Sequence, residues 1–553
     1  MSPDNAKTGE PSRYLNGEGC KEKAEKQSEP SHRSGGVSAD GMQGNDGRVR
    51  QETCGGVRLR RTTAGTSRAS GKAGVAVAGV GDLHSSEEAR ESITRAERRE
   101  GTCSNAHKRS EGLAMAGDES LWTKTPPKIR KLQIALYRKA KANPRWRVYS
   151  LYGDLMRPEV LREAIKRVVA NKGASGVDGY KVERLKDEAE VERFIAELQQ
   201  ELRSRSYKPT PVRRVYIDKG NGKKRPLGIP TVKDRILQTA VAMFLLPVWE
   251  ADQHDNSYAY RPNRRTTQAV DAIKSALFGG RVEVIDVDIA GYFDTIPHAG
   301  LMKQVARRVS DGSILKLIKM WLRAPISEYD SKTGKTKILP NKRGIPQGGV
   351  ISPLLANLYL SPLDYAVNGK CKEKPSMIRY ADDLVILCAK GQGKELLERL
   401  RKWLKAKELK LNEEKTRLVN AWEEGFNFVG FAITRRESRR GRNYYHVEPG
   451  IKSRNRLKAA IREVLNVQTR NCDEAQTVKK VNEITRGWAQ AFYYGNNCRV
   501  FGSMQKYARQ RLRDWLWRRH SKTRGRYTHY TNERLHGRYG LWKWPTKAAW
   551  AAA

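Results

Sequence analysis

The sequence predicts an α+β fold in its central part, with a wholly helical, basic region after it and a disordered extension before it. Three observations carry that prediction. Between residues 121 and 431, short apolar runs of strand length alternate with longer amphipathic runs of helical spacing. Beyond residue 431 the strand patterns stop, and Lys and Arg interleave with aromatic residues. Residues 1 to 118 contain one aromatic residue, Tyr14, and no sustained apolar periodicity.

Taken in order, residues 1 to 118 hold 19 Lys and Arg against 17 Asp and Glu. Such a segment cannot bury enough apolar surface to offset its ordering entropy, so it is expected to be disordered on its own. It reads either as a nucleic-acid-binding arm or as a stretch upstream of a true start near Met115. Globular character begins at Leu121, with helical spacing in "KIRKLQIALYRKAKANP", "PEVLREAIKRVVANKG" and "VERFIAELQQELRSRSY". "VRRVYIDKGNGKKRPLGIP" reads as a basic hairpin with its turn at Asn221 and Gly222. A helix, "TVKDRILQTAVAMFLLPVWE", and a loop, "SYAYRPNRRTTQAV", lead to another helix. "VEVIDVDIAGYF" is a short buried strand ending in acids and aromatics. "GIPQGGVISPLLANLYLSPLD" is a loop followed by a helix, with Ser352 placed as N-cap and Pro353 as the first helical residue. "MIRYADDLVILC" reads as two short strands around a tight turn. No internal repeat is visible.

The formal net charge is +45, and about +43 of it lies beyond residue 118. An excess that large repels itself unless a polyanion is near, and nucleic acid is the commonest such partner. A basic ribosomal or membrane-surface protein is the competing reading. The seven cysteines are scattered and never form C-x-x-C pairs, which speaks for a reducing compartment and against a zinc ribbon. The longest apolar run, "VAMFLLPVW", is too short to cross a bilayer, so a cytoplasmic protein without a membrane partner is expected.

Asp382 and Asp383 place two carboxylates inside an apolar run. They would repel each other and resist desolvation unless cations neutralise them, and Mg2+ is the natural partner for clustered carboxylate oxygens. Taken alone, the pair could simply make a turn. A second acid-bearing strand end, Asp288 in "VIDVDIAGYF", points instead to two metal ions and an in-line nucleotidyl transfer.

The blocks "KRPLGIPTVKDR", "VDIAGYFDTI", "GIPQGGVISPLLANLYL", "RYADDLVIL", "LKLNEEKT" and "FNFVGF", in this order, resemble the fingers and palm of reverse transcriptases. More narrowly they resemble the reverse transcriptase and maturase proteins encoded within group II introns. The resemblance spans residues of about 130 to 525. It implies a right hand, with fingers and a palm over 119–433, a helical thumb or maturase domain over 434–525, and a basic aromatic tail over 526–553 as a candidate DNA-binding region.

The resemblance also implies roles. Asp288 and Asp382 match the family's metal ligands, Asp383 the third catalytic acid, and the backbone carbonyl of Ile289 completes one of two Mg2+ sites. Phe293 matches the steric gate that selects dNTPs. Gln347, Gly348 and Gly349 match the loop along the incoming nucleotide and template. Arg225, with Lys233 or Arg235, is a candidate triphosphate clamp, since guanidinium groups bind phosphate bidentately. Lys415 matches a position proposed to protonate the leaving pyrophosphate, and "GFNFVGF" would be the primer grip.

In the C-terminal region, residues 426 to 553 carry 28 Lys and Arg against 8 Asp and Glu, and six of the twelve tryptophans. Interleaved charge and rings suit RNA. Gly487, Trp488, Phe492 and Tyr493 match the core maturase motif "RGWAQAFYY". Arg486, Trp488, Tyr493, Arg511, Arg513, Trp515 and Arg518 are the candidate RNA contacts. The tail lacks paired Cys and His, so it departs from relatives that add an HNH endonuclease. The expected partners are group II intron RNA, an RNA template with a DNA primer, target DNA and dNTPs, engaged as a monomer or homodimer. The alternatives are a splicing cofactor with a dead polymerase, or a reverse transcriptase of a retron, a CRISPR locus or a diversity-generating element.

Overall fold

The computed structural model describes residues 122–547 apart from 124, 219–223, 331–332, 370–373 and 521–524. The extension expected over 1–118, the Asn221–Gly222 turn and residues Cys20, Cys54, Cys103 and Cys371 lie outside the described residues.

The first layer is helical. The helices Pro127–Ala142 and Pro158–Ala170 each start on a proline, whose missing N–H costs nothing in a first turn. Both pack on the Val232–Glu250 helix, which is mostly apolar beyond its first turn and buried along nearly its whole length. Its start is fixed by Thr231, whose hydroxyl accepts from the Asp234 amide at 3.3 Å.

Eleven strands are described: β1 Val212–Asp218, β2 Lys224–Ile229, β3 Glu283–Val287, β4 Ile326–Asp330, β5 Lys335–Leu339, β6 Ser376–Tyr380, β7 Asp383–Cys388, β8 Arg417–Asn420, β9 Phe426–Phe428, β10 Phe431–Glu437 and β11 Asn443–Pro449. They form three sheets, ordered β2-β1-β4-β5, β6-β7-β3-β8 and β11-β10-β9. The second sheet is antiparallel throughout and is covered on both faces. Ile285, Val287, Met377, Leu384 and Ile386 enter the large core beneath the Val232–Glu250 and Ser352–Val367 helices. Val284, Ile378, Val385 and Leu387 enter a smaller core with the Thr266–Phe278 helix and with Phe426, Phe428 and Phe431. This two-sided burial is why "LVILC" reads as an unbroken apolar run instead of an alternating one.

The C-terminal helices Ile451–Val464, Glu474–Ala491 and Cys498–Arg519 close around a third core that includes Leu457, Val481, Phe501 and Leu512. Among the described residues no helix is long and apolar enough to cross a membrane.

Three expectations are corrected. Strands do not stop near residue 431: β10 and β11 carry the third sheet to Pro449, so the boundary expected at 434 falls inside a strand. The apolar alternation there is short and the flanking arginines mask it. The tail from 526 is not a separate region within its described part, because Leu541 and Trp544 fill the helical core and Asn482 bonds both Gly540 O and Trp542 N at 2.8 Å. Ser352 is the first helical residue and not the cap. Its hydroxyl donates to Pro346 O at 2.8 Å and so ties the preceding loop to the helix.

Candidate active site

The register of β3 and β7 decides where the acids go. Their last paired residues are Val287 and Leu384, so the next residues outward, Asp288 and Asp383, leave the ladder side by side. Asp383 also pairs with Tyr380 across the β6–β7 hairpin, leaving only Ala381 and Asp382 in the turn. Ala381 has φ of 63°, in the left-handed region that a side chain seldom enters. Such a conformation persists only where its surroundings enforce it.

A buried polar network does so. Arg379, fully buried, donates to both carboxylate oxygens of Asp364, at 2.8 and 2.5 Å. Its remaining terminal nitrogen reaches Asn357 Oδ1 at 2.9 Å and the carbonyl of Ala381 at 3.2 Å. Asn357 in turn donates to Ala259 O at 2.7 Å, and Tyr258 N donates to Arg379 O at 2.9 Å. The turn and the 256–261 loop are therefore one rigid piece. That loop presents Tyr260, about half exposed and with φ of 58°, towards the acids; burial and then the Asp382 charge raise its phenol pKa.

Asp288 is held by the "LNEEKT" segment. Asn412 Nδ2 donates to its carboxylate at 2.8 Å, Lys415 Nζ approaches at 3.2 Å, and the Asp288 carbonyl accepts from Asn412 N at 2.8 Å. The Asp288 amide donates to the Thr416 hydroxyl at 3.3 Å. Ile289 bridges to Leu411, which fixes its backbone beside Asp288. Asp383 opens to solvent at the strand end but has protein on its other sides. That desolvation, and then the charges of Asp382, Asp288 and Asp286, push its carboxyl up to about 6, while Arg225 pulls the other way. Asp286, one turn of the pleat inside, is itself raised by burial and paired with Arg417 at 3.3 Å.

The donor set is made of hard carboxylate oxygens, four acids against the Lys415, Arg417 and Arg225 cations, and such oxygens suit divalent cations of the Mg2+ type. Among the described residues no group of three or more His, Cys, Asp or Glu side chains is placed, as it stands, to hold a metal ion. Asp288 spends its oxygens on Asn412 and Lys415 instead.

Around the acids the sequence-predicted residues divide. Phe293 lies in the short helix after β3, edge-on to the buried Tyr292 at 5.8 Å, and its carbonyl accepts from Ile345 N at 2.7 Å. Gln347 O accepts from Gly228 N at 2.6 Å, and Gln347 Nε2 donates to Asp294 at 3.2 Å. Gly348, at φ of 121°, passes so close to β2 that a Cβ there would sit 2.5 Å from Gly228 O. The loop is thus sewn to the strand that carries the exposed Arg225. Lys415 Nζ sits 3.2 Å from the Asp288 carboxylate and is otherwise exposed.

Arg235 is corrected. It is buried, and its guanidinium donates to Ala174 O at 2.8 Å beneath the 172–178 loop, so it is not available to a triphosphate. Lys233 is paired with Glu201 at 2.5 Å on the adjacent helix. In the C-terminal region Arg513 and Trp515 are corrected as well. Arg513 is 5 % exposed and donates to Tyr530 O and Asn532 Oδ1, while Trp515 is 3 % exposed and donates to Thr469 Oγ1 at 3.2 Å. Trp488 packs among Phe492, Phe501 and Trp544 with its N–H on Ser453 O, Tyr493 stacks on Phe501, and Arg511 donates to Leu465 O. Arg513 and Trp515 are thus buried, whereas Trp488, Tyr493 and Arg511 each keep part of their surface exposed. Arg486 and Arg518 remain exposed on the helical surface.

Sequence reasoning missed Asn412, Thr416, Asp286 and the Arg379–Asp364–Asn357 network. A charged residue inside an apolar strand was the available signal for Arg379, the same signal that singled out Asp382.

The palm sheet with its helical and hairpin fingers is that of a reverse transcriptase. Residues 217–433 match the family model for reverse transcriptase (RNA-dependent DNA polymerase), and residues 454–533 match that for the maturase-specific domain of group II introns. The chain belongs to the group II intron-encoded family of reverse transcriptases and maturases. It is 36 % identical over 353 residues to Protein YkfC of Escherichia coli, covering 57 % of this chain and 90 % of that one. It is 38 % identical over 222 residues to the group II intron-encoded protein LtrA of Lactococcus lactis, covering 39 % of this chain and 34 % of that one. The chain therefore spans about a third of LtrA. Among solved structures, apo telomerase from Candida tropicalis aligns at 14 % identity and a TM-score of 0.36, over 56 % of this chain and 62 % of that one.

Proposed function

We propose that the protein copies the RNA of its own group II intron into DNA and assists the splicing of that RNA, with Asp288, Asp382 and Asp383 as the catalytic acids. The observation that carries this reading is the register of β3 and β7, which brings acids 94 or more positions apart to one strand end. Two Mg2+ ions on these carboxylates and the Ile289 carbonyl would activate the primer 3′-hydroxyl and neutralise the leaving pyrophosphate. The chain's own residues do the rest. Arg225 binds the triphosphate of the incoming dNTP beside Asp383. The Phe293 ring closes the space that a 2′-hydroxyl would need. The Gln347–Gly349 loop, fastened to Gly228, lines the nucleotide and the template. Asn412 orients Asp288, and Lys415 keeps a proton within 3.2 Å of it for the departing pyrophosphate.

The basic helical region grips the RNA template with its DNA primer and the structured intron RNA through exposed cations such as Arg486 and Arg518. Target DNA supplies the primer, from a nascent strand or a reverse-spliced site, and the complex works as a cytoplasmic ribonucleoprotein. The test is primer extension by the purified full-length protein on an RNA template with a DNA primer, dNTPs and Mg2+. Incorporation of dNTPs and exclusion of rNTPs is the expected result. No incorporation by folded protein that still binds the RNA would leave a splicing cofactor alone.

A further inference from the structure

The third sheet carries a feature that the polymerase reading does not use. The β10–β11 hairpin continues beyond the core as "RRESRRGR", residues 435–442, where Arg435, Arg436, Arg439, Arg440 and Arg442 are all exposed. Among the described residues no ion pair joins any of these five guanidinium groups, and the only acid in the stretch is Glu437. The tip is well formed: Ser438 N donates to Arg442 O at 2.8 Å, and Gly441, at φ of 71°, makes the turn. Five guanidinium groups against one carboxylate are thus displayed on a defined ribbon, with no ion pair among them. Such an arrangement costs self-repulsion unless an anion answers it.

The base of the hairpin adds flat apolar surface. The Arg435 guanidinium lies over the ring of Trp422, 5.4 Å from its centroid, and Trp422 is 51 % exposed. Trp422 bonds the hydroxyl of Tyr445, the residue paired with Arg435 across the ladder. Phe278, 62 % exposed, stands edge-on to Tyr445 at 5.2 Å. Two large exposed rings thus flank the buried Tyr445, with the Arg435 guanidinium over one of them. Unpaired bases need such a surface, since stacking requires a free base face, and duplex RNA offers none.

We infer that the β10–β11 hairpin, with Trp422 and Phe278 at its base, docks unpaired nucleotides of an RNA outside the polymerase cleft. This rests on the proposed role as an intron RNA-binding protein and names where part of that RNA is held. The seven residues of β10 separate the tip from the Val429–Gly430 turn at its other end by about 20 Å. Phosphates meet the tip arginines, and a base lies against Trp422.

The experiment uses full-length protein and two fluorescent RNAs, a stem-loop with a uridine loop and a blunt duplex of the same stem. Variant Arg439→Gln/Arg440→Gln/Arg442→Gln changes only exposed side chains. It is expected to bind the stem-loop roughly tenfold more weakly, with a salt slope shallower by about 0.7 per lost phosphate contact. Trp422→Ala is expected to lose a similar factor for the stem-loop, with recovery in Trp422→Phe. Extension of a minimal template–primer by the arginine variant should match the wild type. Unchanged stem-loop affinity in the arginine variant overturns the inference, as does an equal loss for the blunt duplex. Wild-type extension in the same preparation separates that failure from failure of the polymerase reading.

Discussion

Arg379 and Asp364 form a two-pronged ion pair with both side chains wholly buried, and the same guanidinium holds the carbonyl of Ala381 in the catalytic turn. Neither residue touches substrate in the proposed mechanism. Their part is to fix the strained turn that sets Asp382.

Removing one partner strands the other charge in the core. Asp364→Ala should therefore cost about 3–5 kcal/mol of stability. Urea denaturation of the pure protein measures this, and a loss below about 1 kcal/mol would mean that the pair is not load-sharing in the way its burial implies.

Gly348→Ala tests the seam between the loop and β2. The substituted residue must leave φ of 121° or push Gly228 O away, because its Cβ would lie 2.5 Å from that oxygen. Strain of about 1–3 kcal/mol is expected. Since β2 carries Arg225, the kinetic signature is a raised KM for dNTP. A variant with wild-type KM and stability would show that the seam is dispensable.

The Asp383 carboxyl gives a pH prediction. Its folded pKa of about 6 lies above its ordinary 3.8, so the folded protein binds the proton more tightly than the unfolded chain. That contribution to stability is full below 3.8 and is lost as pH rises through about 6. Cations and protons compete for the same oxygens, so the rise in Tm on adding Mg2+ should be large at neutral pH and shrink as pH falls below about 6. Chelation with EDTA at neutral pH should reverse it, and Asp383→Asn should flatten the profile. A pH-independent Mg2+ shift would place the cation elsewhere.

Asn412→Ala removes the 2.8 Å hydrogen bond that orients Asp288. Partners of this kind change metal affinity by about 10–100-fold when lost. The Mg2+ concentration for half-maximal extension should rise by about tenfold while RNA affinity stays put. An unchanged Mg2+ dependence would make Asn412 a bystander.

Much of this was legible in the sequence. The α+β centre, the hairpin around "YADD", the strand ending at Asp288 and the helical basic region all follow from periodicity and turn chemistry. Side-chain destinations in a highly basic chain were not. Arginines are so frequent here that spacing cannot separate Arg513 and Arg235, which tie backbone carbonyls together inside the protein, from Arg486 and Arg225, which face out. Tryptophan raised the same ambiguity: Trp515 and Trp488 read as stacking platforms, yet they complete a small helical core that the tail's Trp544 also helps to fill. The hairpin strands after 431 were hidden because their solvent-facing ends are runs of arginine.

In the proposed mechanism Asp288, Asp382 and Asp383 form one catalytic unit separable from RNA binding. Its most direct test is single-turnover extension of a DNA primer on an RNA template by Asp382→Asn and by wild type, with circular dichroism and RNA affinity measured on the same samples. Extension by Asp382→Asn should fall by about three orders of magnitude or more, with helix content and RNA affinity unchanged. Wild-type extension by folded Asp382→Asn would contradict it.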